Sequence, residues 1–362
     1  MLPSRSHRAL VHAIQVALAA ILALFIAFPA YAAGDEKSSA APPVQGNATA
    51  KQGDEQANRI DADKLFGAIV KVSTRAVPEA RTTEALGSER EGTGVVIGKD
   101  GLILTIGYLV MEAEDVKITD AKGRALPARV VGYDDASGFA LIRALVPLDA
   151  TPMALGDSSK TTEREPVLIA TAGGDGTAFA WIVSKRAFTG NWEYKLDYAL
   201  FTSPPTANWS GAALIDRDGK LVGIGSLIVR EATDGDPKLP GNLFVPIDLL
   251  KPILADLVAR GKRAGPAQPW LGVAADELQG HLFVTRVSPG GPAERAGVSV
   301  GDIILGVGSD AVQTQAEFYD RVWKERRAGD EVPLKVLHGM DVREITILSM
   351  DRGDYYRSQS TI

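Results

Sequence analysis

The sequence predicts an all-β barrel or sandwich over residues 62–258, followed by a smaller α+β domain. Three observations carry this. Short runs rich in Val, Ile, Leu, Phe and Thr recur every 8–12 residues across 62–258, separated by Gly and Asp turns. An apolar helical stripe then ends at Gly261, and KRAGPAQP at 262–269 reads as a linker. Beyond the linker, strand-like runs flank a single amphipathic helix.

The strands are expected at 68–74, 93–98, 102–106, 115–119, 128–133 and 139–145. Six more are expected at 166–172, 179–185, 198–203, 212–216, 221–229 and 243–247. A helix over 248–261 follows. Asp248 is placed to cap it, Leu249, Leu250, Ile253, Leu254 and Leu257 form one stripe, and Gly261 stops it. The second domain begins with WLGVAAD at 270–276 and continues through LFVTRVS at 282–288. A helix over 314–329 pairs Phe318 with Val322 and Tyr319 with Trp323 at i,i+4 spacing. Strands at 331–339 and 342–348 close the domain.

The chain has 362 residues, 45% hydrophobic and 23% charged, which suits a globular protein with room for two domains. Its formal net charge of −6 argues against a nucleic-acid partner, since phosphate backbones are bound by clustered Lys and Arg. The run Lys324-Glu325-Arg326-Arg327 is broken by an acid and reads as a solvated helix face. Cysteine is absent, so no disulfide, thiol nucleophile or zinc-thiolate site can form. Asp134-Asp135 and Asp216-Arg217-Asp218-Gly219 read as turns, and Gly173-Gly174-Asp175-Gly176 as a hairpin turn. No metal or cofactor is expected.

At the N-terminus, Arg5, His7 and Arg8 precede an apolar run at 13–28 and the small-residue exit Ala30-Tyr31-Ala32. This pattern is that of a secretory signal peptide over 1–32, with an uncleaved membrane anchor as the alternative. Residues 33–61 are poor in large apolar groups and read as a flexible linker.

Two motif sets identify a resemblance. GTGVVIGKDGLILT at 92–105, FALIRAL at 139–145, SGAALIDRDGKLVGI at 210–224 and VPIDLLKPIL at 245–254 resemble the protease domain of the HtrA/Deg family of envelope quality-control proteases. WLGV at 270–273 and the PAERAGV and GDIIL blocks at 292–305 resemble that family's PDZ domain. The resemblance implies a chymotrypsin-like double β-barrel over 62–261, a linker at 262–269, a PDZ domain over 270–352 and a tail at 353–362. It also implies periplasmic localisation and a homotrimer joined through the start of the barrel domain. There Leu65, Phe66 and Ile69 either meet a second copy or bury in their own barrel.

Carried over by position, the family's catalytic serine falls on Ser210. Its histidine falls on Tyr108 and its aspartate on Gly138. The oxyanion hole falls on the backbone N–H groups of Asn208 and Ser210. The histidine count agrees without any alignment: His7 and His12 lie in the leader, His281 and His338 in the second domain, and the barrel region has none. A serine needs a base to take its proton. A phenol with a pKa near ~10 is a poor one at neutral pH, and loss of a triad costs on the order of 10⁶ in turnover. The sequence therefore points to a pseudoprotease that binds polypeptide C-termini or unfolded proteins, or that assembles with active HtrA/Deg relatives. The alternatives are an active serine endopeptidase using Lys185 or Lys220 as base, and a scaffold for one fixed partner. In the second domain, Leu271, Gly272, Val273, Phe318 and Val322 are the expected peptide-binding residues. The glycine admits a close carboxylate and the apolar side chains hold the last residue.

Overall fold

The computed structural model describes residues 62–173 and 176–356. The expected leader and linker over 1–61, the turn centre at 174–175 and the tail beyond 356 lie outside the described residues. A short helix α1 (Ala62–Gly67) leads into β1 (Ile69–Ala76). Helix α2 (Thr83–Leu86) separates it from β2 (Glu89–Val96), β3 (Leu102–Ile106), β4 (Ala113–Thr119), β5 (Ala125–Tyr133) and β6 (Phe139–Ala144). These six strands close a barrel in the order β1-β2-β3-β6-β5-β4. The second barrel uses β7 (Pro166–Ala170), β8 (Thr177–Gly190), β9 (Tyr194–Ser203), β10 (Ala213–Ile215), β11 (Leu221–Val229) and β12 (Gly241–Pro246). Its order is β10-β11-β12-β9-β8-β7. Two six-stranded antiparallel barrels therefore stand where the repeated short strands predicted all-β structure. Closure pairs every strand on both sides, which removes unsatisfied edges.

Sequence composition accounts for the pairing. Strand β3 (LILTI) is buried along its whole length, and it runs between β2 and β6. Leu65 and Ile69 join the same core with Ile103, Leu104, Phe139 and Leu141, whereas Phe66 stays 39% exposed. Of the three residues considered for contact with a second copy, two are thus spent on their own barrel.

The helix expected over 248–261 is shorter. A 3-10 turn occupies Ile247–Leu249, and helix α3 covers only Leu254–Arg260. Pro252 explains the delay: its ring blocks the helical bond to the turn before it and biases Lys251 away from the helical region. Asp248 is not a cap. Its carboxylate accepts from the Ser159 N–H at 2.7 Å and pairs with Lys251. Gly261 ends α3 as expected, in a left-handed conformation with φ +75°.

The second domain contains β13 (Val273–Leu278), β14 (His281–Val287), helix α4 (Pro292–Ala296), β15 (Ile303–Val307), β16 (Asp310–Ala311), helix α5 (Gln315–Trp323), β17 (Glu331–His338) and β18 (Asp341–Leu348). The sheet runs β13-β14-β15-β17-β18, with β16 paired to β15. Among the described residues strand β13 pairs with β14 alone, which leaves its other side an open edge. Helix α5 is capped by a reciprocal Thr314–Glu317 box and buries Phe318, Tyr319 and Val322. It ends six residues before the expected 329, where Lys324 turns extended and Glu325 adopts φ +57°. A last short helix, α6 (Arg352–Tyr355), straddles the expected end of the second domain at 352 and the start of the tail.

One feature near the site differs from the sequence expectation. Strands β8 and β9 run far past the predicted 179–185 and 198–203. They form a long hairpin whose tip is the three-residue loop 191–193. Asn-Trp-Glu carries none of the usual Gly or Pro punctuation. The left-handed position such a loop needs is taken by Glu193, at φ +57°.

Candidate functional site

The two barrels meet where β2 passes the segment after residue 208. The Thr93 N–H donates to the Ser210 carbonyl at 2.8 Å, and the Gly211 N–H donates to the Gly225 carbonyl at 2.9 Å. Ser210 is thereby placed on the seam between barrels, beside a cavity of ≈ 920 Å³ that reaches the second domain. Tyr108, Trp209, Ser210 and Gly138 line its barrel side, and Gly272, Val273 and Tyr355 line the other.

Tyr108 stands next to Ser210. It sits on a 3-10 turn (Gly107–Leu109) at the end of β3, and its phenol donates to the Ser226 carbonyl at 2.9 Å. Burial pushes the phenol up to about 12, against a smaller lowering by the Ser210 hydroxyl and Trp209. The two hydroxyls are close enough to influence each other but make no well-formed hydrogen bond. The Ser210 oxygen is shut off from solvent and has no partner among the described residues. Around it, an added Cβ at Gly92 would come within 2.9 Å of the hydroxyl oxygen, so the strand β2 backbone packs directly on the serine.

Gly138 also borders the cavity. It lies at φ +78°, its carbonyl accepts from the Gly107 N–H at 2.7 Å, and a Cβ there would stand 3.2 Å from the Tyr194 phenol oxygen. Tyr194 donates to the Ser137 carbonyl at 2.7 Å. Asn208 is exposed, and its backbone is not left-handed. The structure therefore gathers Tyr108, Gly138 and Ser210 on one cavity, with no histidine or lysine among its lining residues. Lys185 is elsewhere, donating to the carbonyls of Ser158, Ser159 and Thr161. Lys220 lies about half exposed beside Asp218. Neither lysine reaches Ser210, so the lysine-base alternative has no geometric support. His338 is held by Asp302 at 2.7 Å inside the second domain.

Two polar networks frame the cavity, and the sequence did not signal them. The Arg90 guanidinium, 6% exposed, donates to the carbonyls of Gly87, Tyr108 and Met111 and to the Thr82 hydroxyl. The Glu112 carboxylate accepts from the Thr82 hydroxyl and from the Arg81 and Thr82 N–H groups. On the far side, Asp134 is buried and accepts from the Ser137 N–H and hydroxyl and from both arms of Arg263 in the linker.

Its neighbour Asp135 has one oxygen with no hydrogen-bond partner among the described residues and faces Tyr133, Arg352 and Asp351. Burial pushes the Asp135 carboxyl up to about 6, with Arg352 opposing. A carboxyl raised on folding favours the folded state only while protonated. Its contribution is complete below the unfolded value near ~3.8 and is lost as pH rises through about 6. Asp135→Asn should therefore be more stable than the parent at pH 7.5, by on the order of 2 kcal/mol. Thermal melts should show that difference shrinking toward zero by about pH 4. A constant difference across the range would refute the assignment.

The expected peptide residues also come together. Leu271, Val273, Phe318 and Val322 are all buried in the second domain's core. Gly272 has φ +79°, and a Cβ there would press on the Trp270 ring and the Ser288 Cβ at 3.1 Å. The N–H groups of Leu271, Gly272 and Val273 converge on one carboxylate, that of Glu193 in the β8–β9 hairpin. Burial is the largest influence on that carboxyl and raises it, against the lowering by the three donors.

Comparison with known proteins agrees with these two halves. A trypsin-like peptidase domain family matches residues 92–224, and a PDZ domain family matches residues 269–348. The fold and the cavity thus define a trypsin-like peptidase domain joined to a PDZ domain. The chain is similar to serine proteases that carry HtrA and Deg names. Serine protease PepD of Mycobacterium tuberculosis (strain ATCC 25618 / H37Rv) is 29% identical over 265 residues, covering 67% of this chain and 57% of that protein. Serine protease Do-like HtrA of Bacillus subtilis (strain 168) is 25% identical, covering 68% of this chain and 60% of its own. Periplasmic pH-dependent serine endoprotease DegQ of Escherichia coli (strain K12) is 27% identical, covering 71% and 58%. The matching stretch therefore spans less than two thirds of each relative's length. HtrA-type protease AlgW, solved with a decapeptide, superposes with a TM-score of 0.50 at 20% identity, over 83% of this chain and 98% of that one. At that identity the likeness speaks to the fold.

Proposed function

We propose that the chain is a periplasmic HtrA-like pseudoprotease that binds polypeptides through its PDZ domain, with residues 62–261 as the barrel part and 270–352 as the binding part. Ser210 is retained, while Tyr108 and Gly138 stand at the family's histidine and aspartate positions. The observation that carries this reading is the state of Ser210. Among the described residues its hydroxyl is sealed and unpartnered, and the adjacent phenol donates its hydrogen bond to the Ser226 carbonyl. A general base must sit within hydrogen-bond reach with a pKa near the working pH, and a phenol pushed up to about 12 fails the second requirement. Polypeptides with free, aliphatic C-termini are the ligand class, because three convergent N–H groups suit a carboxylate and Leu271, Val273 and Val322 are apolar. Mixed assembly with active HtrA/Deg relatives, or a homotrimer, belongs to the same proposal.

The test is labelling of the purified chain with a fluorophosphonate probe at neutral pH, alongside casein degradation. No labelling above the Ser210→Ala control is expected. Labelling that disappears in Ser210→Ala would overturn the pseudoprotease reading and make the chain an active endopeptidase. The double variant Tyr108→His with Gly138→Asp should also stay at background. An aspartate at 138 would have to adopt φ +78° and meet Tyr194 at 3.2 Å.

A further inference from the structure

The hairpin tip that the sequence did not foresee reaches across the second domain's peptide edge. Glu193 puts one carboxylate oxygen 2.9 Å from the Leu271 N–H and the other 2.7 and 3.0 Å from the Gly272 and Val273 N–H groups. The residue is 8% exposed. These three consecutive donors are not satisfied by the sheet, and their arrangement around a left-handed glycine is an anion-binding concavity. The tip is fastened on both sides of the groove. On the strand side, the Asn191 amide donates to Asp276 of β13 at 2.7 Å. On the helix side, the Tyr319 phenol of α5 donates to the Gly190 carbonyl at 2.9 Å and accepts from the Glu193 N–H at 3.0 Å. Glu193 also holds a left-handed backbone, which is strained for a non-glycine residue and persists only where its surroundings enforce it.

We propose that Glu193 is an internal ligand of the second domain: its side-chain carboxylate occupies the seat of a polypeptide's terminal carboxylate, so that a peptide binds only after the β8–β9 tip has lifted away. This rests on the reading of that domain as a binder of free C-termini. An incoming ligand needs a carboxylate to compete with the one in place, and an edge-pairing backbone to displace the contacts of Asn191 and Tyr319. The adjacent residue, Tyr194, is the one packed against Gly138 at the Ser210 cavity. One hairpin end therefore touches both sites, and lifting it opens the cavity wall.

The competing occupant lowers apparent peptide affinity by the fraction of molecules with the seat free. Peptides ending in Val, Leu or Ala, as free acids and as amides, are titrated into the full chain and into Glu193→Gln and Glu193→Gly. Glutamine keeps the volume and removes the charge, while glycine relieves the backbone; melting curves confirm that each is folded. The free acids are expected to bind the variants about tenfold tighter or more, and to bind each chain more tightly than the matching amides. Equal free-acid affinity in parent and variants overturns the internal ligand and leaves the C-terminus reading intact. If no chain binds any free acid, the C-terminus reading fails, and hydrogen exchange at the amides of 271–273 decides the rest. Faster exchange in both variants retains Glu193 as the occupant of those donors, and unchanged exchange removes it.

Discussion

Gly211→Ala is expected to cost on the order of 3–5 kcal/mol and to lower the melting temperature by about 10 °C or more. The position requires φ +73°, which charges alanine roughly 1 kcal/mol before any contact is considered. The new Cβ would then sit 2.0 Å from the Thr93 carbonyl oxygen and 2.8 Å from the Thr105 hydroxyl. Neither can step aside. The Thr93 carbonyl accepts from that same Thr105 hydroxyl at 2.7 Å, and the Thr93 N–H is bonded to Ser210. The clash is between two backbones belonging to different barrels, so relief means parting the seam. Differential scanning calorimetry checks it, and a variant melting within about 2 °C of the parent would show that the seam is softer than its geometry implies.

Arg90→Met should lose a comparable amount, about 3–5 kcal/mol, with the parent's fold recovered only in part by Arg90→Lys. Methionine fills much of the volume but leaves the carbonyls of Gly87, Tyr108 and Met111 without their donor in a buried place. Lysine restores a charge but not the fork, since one ammonium cannot reach all the acceptors, which are spread over residues 82–87 and 108–111. Burial lowers the Arg90 pKa from its ordinary value and Glu112 partly offsets this, so the cation leans on that neighbour as well as on its acceptors. Urea denaturation of the three proteins at one pH gives the ranking. Met and Lys variants indistinguishable from the parent would mean the guanidinium network is replaced by water.

Much of the scaffold could be read along the chain because its causes are local. Alternating or continuous apolar runs make strands, and each of the twelve barrel strands overlaps such a run, although the β8–β9 turn lacks the Gly or Asp that bounds most of the others. The helix after β12 is shorter than its leucine stripe predicts for an equally local reason, the proline inside that stripe. The hairpin tip at 191–193 is not legible along the chain, because Asn-Trp-Glu carries no Gly or Pro to mark a reversal. Only its contacts with Tyr319 and the Leu271–Val273 backbone hold Glu193 left-handed.

The sequence by itself determined which chemistry the barrel could not have, because a region with no histidine cannot place one beside Ser210. It also determined where a carboxylate could approach the second domain, since only glycine tolerates the backbone and the crowding at 272. The tertiary structure decided what fills those places. Tyr108 turns its phenol to the Ser226 carbonyl because the barrel seam brings β11 within 2.9 Å. Glu193 meets its three donors from 78–80 positions away in the chain. Such contacts depend on how closed barrels and a neighbouring sheet are set against each other. That arrangement is fixed by packing many side chains at once, and no short stretch of sequence contains it.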